Sequence, residues 1–590
     1  MRSGLRRAPI IGKVVVLVSS TPDFPYLGVL VGITVLAGLP LFQFELMDGH
    51  DVWAYLPRSV EFWEGLRHGQ LFPRWAPDLG AGYGEPLFNF TPPLIHYLTS
   101  LFHVIGFNFV TAENLSLFTL LYLAGLGMYL LAAEFFGRRG GLVSSTAYLF
   151  APYVLVTLYV RHALADFSAF APLPWAFWGL YRFAAVGRPP SLLVAALSAF
   201  LLVLSSNSVS IMALPALFLF VAWLTWHRRS WRVFVRGCLA LGFALGLSAF
   251  FWLPALAEMN YVHVSRRVES LNFHDHFAYI YQLIYSSWGY GFSRPGTKED
   301  GMSFAIGPIY IFLVTSALFL RKAVSRISPT SAQMISFFLL IILLSTFFAT
   351  DISLLLWERL TFLHHLEFPW RFLTLIAFST ALLCGFPNVL FREDHNGATG
   401  LMAFLVAALL ITGLSHARPE TFLDVTDADY TPKKIASEAI DADIKELEPI
   451  WVKERPTMPS EERLILMDGE GDIVAANLSP FAYEFRINIV RPARLRLNTF
   501  YFPGWQLFVD GAERPLDYSN RYGLMEFFLE EGSYLIEARF TDTPVREWSQ
   551  RLSLVAVPLL IATAWFDKVK QFRMRHDVGE DSAVRRSQAN

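Results

Sequence analysis

Apolar runs of about 20 residues, repeated along most of the chain, constrain it more than any other feature, because that length covers the roughly 30 Å hydrocarbon layer of a bilayer. They lie at 27–44, 113–136, 141–159, 167–186, 191–206, 209–226, 236–256, 304–320, 333–350, 372–390, 399–415 and 551–566. Only 17% of the 590 residues are charged, against roughly 25% in soluble domains, so a soluble enzyme is excluded. A net charge of −2 offers nothing to a nucleic acid. Cys238 and Cys384 both sit in apolar runs, which excludes a disulfide framework and a cysteine zinc site. The expected fold is a polytopic α-helical membrane protein of about twelve transmembrane helices, with a β-sandwich-like domain outside the membrane before the last helix.

The first run follows Arg2, Arg6, Arg7 and Lys13, as in a signal peptide, but it is long and no small-x-small cleavage site comes after it. It reads as an uncleaved span with a cytoplasmic N-terminus. Alternation then gathers Arg138-Arg139, Arg188, Arg228-Arg229, Arg232, Arg236, Arg321-Lys322, Arg326 and Arg392 on the cytoplasmic side. The tail with Lys568, Lys570, Arg573 and Arg575 joins them, as the positive-inside bias requires. The stretch 87–105 is apolar as well, but Pro86, Pro92, Pro93 and this charge parity favour juxtamembrane helices on the outer face.

The expected layout is a cytoplasmic tail over 1–26, a membrane domain over 27–415 with an outer loop at 45–112, and an extracytoplasmic, mostly β segment at 416–550. A last span at 551–566 and a cytoplasmic tail at 567–590 complete it. Stretches such as RLRLNTFYF and YLIEARF alternate in polarity between turns at Pro503-Gly504, Asp510-Gly511 and Glu531-Gly532, the pattern of short strands. Residues 424–472, acidic and broken by proline, read as a helix plus an irregular connection.

Ionisable residues at membrane depth are costly and mark function, and four groups stand at the outer mouths of spans. Asp48-Gly49-His50-Asp51 follows the first span: a general base or metal-ligand pair, or a solvated loop. Arg161, His162 and Asp166 follow the third. Arg161 and Asp166 do not share a helical stripe, so only a helix break brings them together; a structural ion pair is the competing reading. The proline- and glycine-rich loop 73–93 offers Arg74, Trp75, Asp78, Tyr83, Glu85 and Asn89 to a sugar or phosphate, unless it is purely structural. In LEFPWRF, 366–372, Pro369 starts a helix and the fork of Arg371 matches a phosphate, or anchors the interface. His364-His365 and His274-Asp275-His276 fit no zinc spacing.

The motifs GHD, GxLFPRWxPDLGAGYGxPLFNFxPPL, GRRGGLVSSTAYLFAPYVLVTLYVRHALADFSAFAPLPW and EFPWRFL resemble bacterial 6-pyruvoyl-tetrahydropterin-synthase-related membrane proteins. Residues 500–540 resemble the outer domain of YfhO-like membrane glycosyltransferases, and the order of parts is similar to that of GT-C glycosyltransferases. The pterin-synthase-related family usually has Gly and Glu where His162 and Asp166 stand, and Ser205-Ser206-Asn207 replaces a Ser/Thr-His-Asn pattern. Nothing here matches the histidine zinc site of soluble pterin synthases.

The resemblance implies transfer of a sugar from a polyprenyl-phosphate donor to a glycan, lipid or protein acceptor, on the outer face of a bacterial cytoplasmic membrane. It also implies that Asp51, with Asp48 less securely, activates the acceptor or holds a divalent cation such as magnesium or manganese; no cofactor is required by any motif. Asp166 is a third catalytic candidate, orienting Arg161 or His162 or touching the sugar. His50, Arg74, Trp75, Tyr83, Glu85, Asn89, Arg161, His162 and Arg371 are the expected substrate contacts, with Trp75 and Tyr83 stacking on a sugar ring. Besides the substrates the expected partner is the lipid bilayer. A flippase for a lipid-linked saccharide, which should show inverted repeats, and a non-catalytic scaffold for polysaccharide assembly stay open.

Overall fold

The computed structural model describes residues 23–263, 272–294, 300–391, 396–438, 447–460 and 462–587, with backbone alone from 567 onward. Arg2, Arg6, Arg7, Lys13 and Arg392 lie outside the described residues. The chain forms a helical bundle that carries a β domain at one end. Proline opens many of the helices, among them Pro172–Leu180, Pro308–Ile327, Pro329–Ala349 and Pro544–Ser587. Its missing N–H costs nothing in a first turn.

Among the described residues, 7 helices are long and apolar enough to cross a membrane, or up to 8 if the bent pair Trp231–Leu247 and Ala249–Ala257 is one span. One of these, Phe109–Leu149, holds 41 residues and breaks at Gly137 (φ 72°, ψ 173°). A straight helix would separate residues 125 and 145 by about 30 Å, yet Ser145 Oγ donates to the Gly125 carbonyl at 2.7 Å. The element is therefore an antiparallel hairpin, with its turn beside Arg138-Arg139, where the runs 113–136 and 141–159 divide. Arg138 pairs with Asp23 at 2.7 Å at the start of the helix Phe24–Ala37. At that helix's other end Tyr159 Oη donates to Ala37 at 2.6 Å.

Several expected spans are shorter or broken. The run 27–44 gives a 14-residue helix followed by a 3₁₀ turn at Leu39–Gln43, and 191–206 gives 13 helical residues, Ser191–Val203. The run 167–186 is divided among Leu164–Ala169, Pro172–Leu180 and a π-helical turn at Tyr181–Ala185. Prolines account for part of this, and the 70° bend at Ser248 belongs with Ser248 Oγ bonding back to Ala244 O at 2.8 Å. The stretch 87–105 is interrupted at 91–93 and leaves an 11-residue helix, Leu94–Val104, docked through Ser59 Oγ and His96 Nδ1 at 2.9 Å.

The β domain is a sandwich. One sheet has the order β4-β5-β10-β7-β8, from strands β4 (Glu470–Ser479), β5 (Ala482–Arg491), β7 (Trp505–Val509), β8 (Ala512–Arg514) and β10 (Gly532–Phe540). The other has the order β3-β6-β9, from β3 (Leu464–Leu466), β6 (Ala493–Phe500) and β9 (Leu524–Leu529). Asp510 and Gly511, at φ 49° and 79°, make the tight β7–β8 hairpin that an Asp-Gly pair favours. A two-residue strand pair, Leu46–Met47 (β1) with Phe422–Leu423 (β2), joins the chain after the first helix to the segment leading into this domain.

Candidate functional site

A turn of π-helix, Val156–Val160, widens the backbone just before Arg161, whose N–H reaches Val156 O at 2.8 Å. Such turns are frequent at functional sites. His162 follows at φ 49°, an uncommon region for a residue with a side chain. This break turns Arg161 back onto Asp166, and Arg161 Nη2 donates to Asp166 Oδ2 at 3.1 Å. Ser206, which caps the helix Asn207–Arg228, donates to Asp166 Oδ1 at 2.7 Å. The Arg161 guanidinium lies 4.7 Å over the Trp370 ring.

Arg371 completes the cluster from the EFPWRF motif. Phe368 N donates to Leu366 O at 2.6 Å around Glu367, whose φ of 63° and ψ of −52° make a γ-turn of the rare, strained hand. Arg371 Nη1 holds Leu366 O at 2.9 Å and Ser208 Oγ at 2.7 Å, and its Nη2 meets Glu367 Oε2 at 3.2 Å. Its Nε lies 3.5 Å from Asp166 Oδ2, an ion pair without hydrogen-bond geometry. Two buried guanidinium groups thus share Asp166, while Arg371 Nε and Trp370 Nε1 find no acceptor among the described residues. Buried donors of this kind are costly to leave unpaired.

Asp51 stands against this cluster. His50 N donates to Val160 O at 3.2 Å and Asp51 N to Arg161 O at 3.0 Å, so the two segments are stitched together. Gly49 is required there, because a Cβ on it would lie 2.6 Å from His162 Cβ. Asp51 is the N-cap residue of the helix Val52–Arg67, yet its side chain caps nothing and is exposed. His50 Nε2 contacts Tyr290 O at 3.0 Å, its ring stacks on Phe292, and burial holds it below the usual histidine range.

Other expected site residues have structural partners. Asp48 Oδ1 accepts from Gly49 N at 2.8 Å and Oδ2 from Thr421 Oγ1 at 3.0 Å, which fastens β1 to β2. Among the described residues no group of three or more His, Cys, Asp or Glu is placed to hold a metal ion. His162 points away from the cluster; its Nε2 meets Glu113 Oε1 at 3.1 Å in full burial. Glu113 went unnoticed in the sequence, although a lone carboxylate in an apolar run is itself a signal.

The loop 73–93 is a clasp, which corrects its reading as a sugar cradle. Trp75 is 0% exposed and packs on Trp505 and Phe540 in the core of the β domain, so it presents no face to a sugar. Pro254 has no N–H for the Phe250 carbonyl, and Arg74 Nη2 takes that carbonyl at 3.0 Å. Arg74 also donates to Asn89 Oδ1 at 2.9 Å and pairs with Asp542 at 3.4 Å. Burial, then the Arg546 charge, lowers its pKa to about 10. Asn89 donates to Glu258 Oε2 at 2.8 Å, and Glu258 holds the fully buried Arg546 at 2.9 Å. Tyr83 stacks on Phe500 of β6, with ring centroids 5.4 Å apart.

Two buried carboxyl pairs share this joint, each with one arginine. Glu85 lies 3.7 Å from Arg455, which meets Glu448 at 2.6 Å, and burial with the Glu448 charge raises Glu85 to about 7. Glu61 Oε2 accepts from Asp78 N at 3.1 Å, Asp78 pairs with Arg463 at 3.3 Å, and burial raises both acids.

No family model matches the chain, so the pterin-synthase-related label finds no support. An uncharacterized protein of Lactococcus lactis subsp. cremoris (strain MG1363) is 24% identical over 246 residues, which cover 40% of this chain and 40% of that protein. The arabinofuranosyltransferase AftD from Mycobacteria aligns at a TM-score of 0.42 and 15% identity, over 70% of this chain and 27% of that one. The Archaeoglobus fulgidus oligosaccharyltransferase aligns at 0.37 and 15% identity, over 73% and 58%. The chain spans less than two thirds of the length of each of these proteins.

Proposed function

We propose that the chain is a membrane glycosyltransferase that moves a sugar from a polyprenyl-phosphate donor to a glycan, lipid or protein acceptor. Its site faces the outer side of a bacterial cytoplasmic membrane, with both termini cytoplasmic. The observation that carries this reading is the pairing of opposite chemistries at one helix mouth. An exposed carboxylate with no side-chain hydrogen bond or ion pair among the described residues, Asp51, is bonded through its own backbone to Arg161, and Arg161 and Arg371 bring buried cationic donors beside it.

In the reaction, the acceptor oxygen bonds to the anomeric carbon as its proton passes to Asp51. The bond from that carbon to the phosphate oxygen breaks, and its electrons leave with the polyprenyl phosphate. The leaving group needs no proton but does need positive charge, which Arg371 and Arg161 supply from a preorganised, water-poor position. Asp166 is a positioning residue in this scheme, holding both guanidinium groups in place.

The test is transfer by purified protein from radiolabelled polyprenyl-phosphate sugars to envelope acceptors. Asp51→Asn should lower turnover by about 10²-fold or more, the usual contribution of a positioned base, with expression unchanged. Wild-type turnover by that variant removes Asp51 from the role.

A further inference from the structure

The outer segments around 272–294 and 350–366 meet in a surface whose chemistry is that of a bilayer rather than of water. Ile280, Ile284, Tyr285, Ile352, Leu355 and Phe362 are each between 53% and 78% exposed. The two segments form one body: Ala278 N donates to Ala349 O at 2.9 Å, and Phe273 stacks on Trp357 at 5.5 Å. Trp357 is fully buried and donates to Phe348 O at 3.1 Å, so the short helix Leu354–Arg359 is anchored by one side and shows leucines on another.

Six large apolar side chains in one exposed patch are unusual for an aqueous loop. This patch continues the apolar surface of the helices Pro308–Ile327 and Pro329–Ala349, where Phe312, Phe319 and Leu343 are also exposed. Ile352 follows the second of those helices within three residues of its end. The stacked pair Tyr279–Tyr281 and the exposed Glu358 and Arg359 border it, the mixture found at headgroup depth. On its inner side the patch leads to the charged cluster. Phe348 stacks on Phe372 at 5.1 Å, and His276 packs edge-on against Phe368, the ring under the Arg371 guanidinium.

We propose that residues 279–285 and 352–362 form a lip immersed in the lipid headgroup layer on the β-domain side, and that the lip is the rim over which a lipid-borne phosphate reaches Arg371. The doorway half of this statement rests on the transferase reading; the immersion half does not.

The full chain, carrying Cys238→Ser and Ile284→Cys or Leu355→Cys, is labelled with the fluorophore NBD and reconstituted in vesicles of phosphatidylethanolamine and phosphatidylglycerol. Doxyl-labelled lipid should quench both labels several-fold more than a label at Asp472→Cys on β4. Quenching equal to that at 472 overturns the lip. A blue-shifted label that lipid does not quench means that protein covers the patch, and overturns it equally. For the doorway, Ile284→Asp combined with Leu355→Asp should raise KM for a polyprenyl-phosphate sugar about tenfold at constant kcat, as a loss of apolar lipid contact predicts. KM for a short-chain, water-soluble donor should stay the same. Unchanged KM for both donors, with quenching intact, leaves an anchor and overturns the doorway. A wild-type protein that turns over no donor overturns the transferase reading and the doorway together, while quenching still decides the lip.

Discussion

Arg161 Nη2 and Asp166 Oδ2 meet at 3.1 Å across the helix break at His162. Asp166 also faces Arg371, so Asp166→Ala leaves two buried cations without their shared counter-charge. Breaking such a buried arrangement costs about 3–5 kcal/mol, so a marked fall in Tm in detergent is expected together with loss of transfer. Asp166→Asn, which keeps an acceptor for Ser206, should fall less in Tm yet still lose transfer. An Asp166→Ala protein as stable as the wild type would refute the shared-counterion arrangement.

Asp48 and Asp51 stand three positions apart and should respond differently. Both oxygens of Asp48 accept from neutral donors, Gly49 N–H and Thr421 Oγ–H. Asp48→Asn should therefore retain turnover within about tenfold of wild type, against the loss of about 10²-fold or more for Asp51→Asn. Equal losses in the two variants would count against the assignment.

Gly49→Ala tests how the carboxylate is aimed. The new methyl meets His162 Cβ and Val160 O, so one segment must move and Asp51 with it. Misplacement of about 1 Å costs on the order of 10² in rate. A drop in kcat of that order is expected with a change in Tm of a few degrees, read by steady-state kinetics and differential scanning.

The joint between loop and β domain should weaken as pH rises. Glu85 binds its proton more tightly folded than unfolded, up to about 7 against an ordinary 4.5. Its stabilising share is complete below about pH 4.5 and lost as pH climbs through about 7. The difference amounts to roughly 3 kcal/mol at most. Glu85→Gln should flatten Tm between pH 5 and 8 and raise it at the alkaline end; a parallel profile would assign the pH response to other groups.

Arg74→Met keeps the bulk of the side chain but leaves Phe250 O, Asn89 and Asp542 without their donor. A cost of about 2–4 kcal/mol is expected from the orphaned buried groups, confined to the seat of the β domain. Limited proteolysis within 447–463 should speed up while the bundle stays intact, which fragment mass will show.

Much of this architecture was legible because periodicity is local. Alternation and the Asp510-Gly511 turn reveal the sheet, and the arginines at 138 and 139 mark the hairpin that Gly137 makes. Arg161, Asp166 and Arg371 were each visible as charges in apolar surroundings. Their mutual geometry was not, because it depends on a π-turn and a γ-turn that leave no residue signature. Trp75 was misread for a related reason: in a proline- and glycine-rich loop an aromatic looks exposed, until a domain more than 400 residues later covers it. Arg546 and Glu258 pair across 288 residues, a separation that no local pattern reports.

The clasp also sets an order of events during synthesis. Arg74 and Asn89 leave the ribosome long before Asp542 and Arg546, and at 5–20 residues per second the gap is roughly half a minute to a minute and a half. Throughout that interval the early helices stand with their loop unseated, so the buried groups of the stretch 73–93 wait for their partners until the last helix arrives.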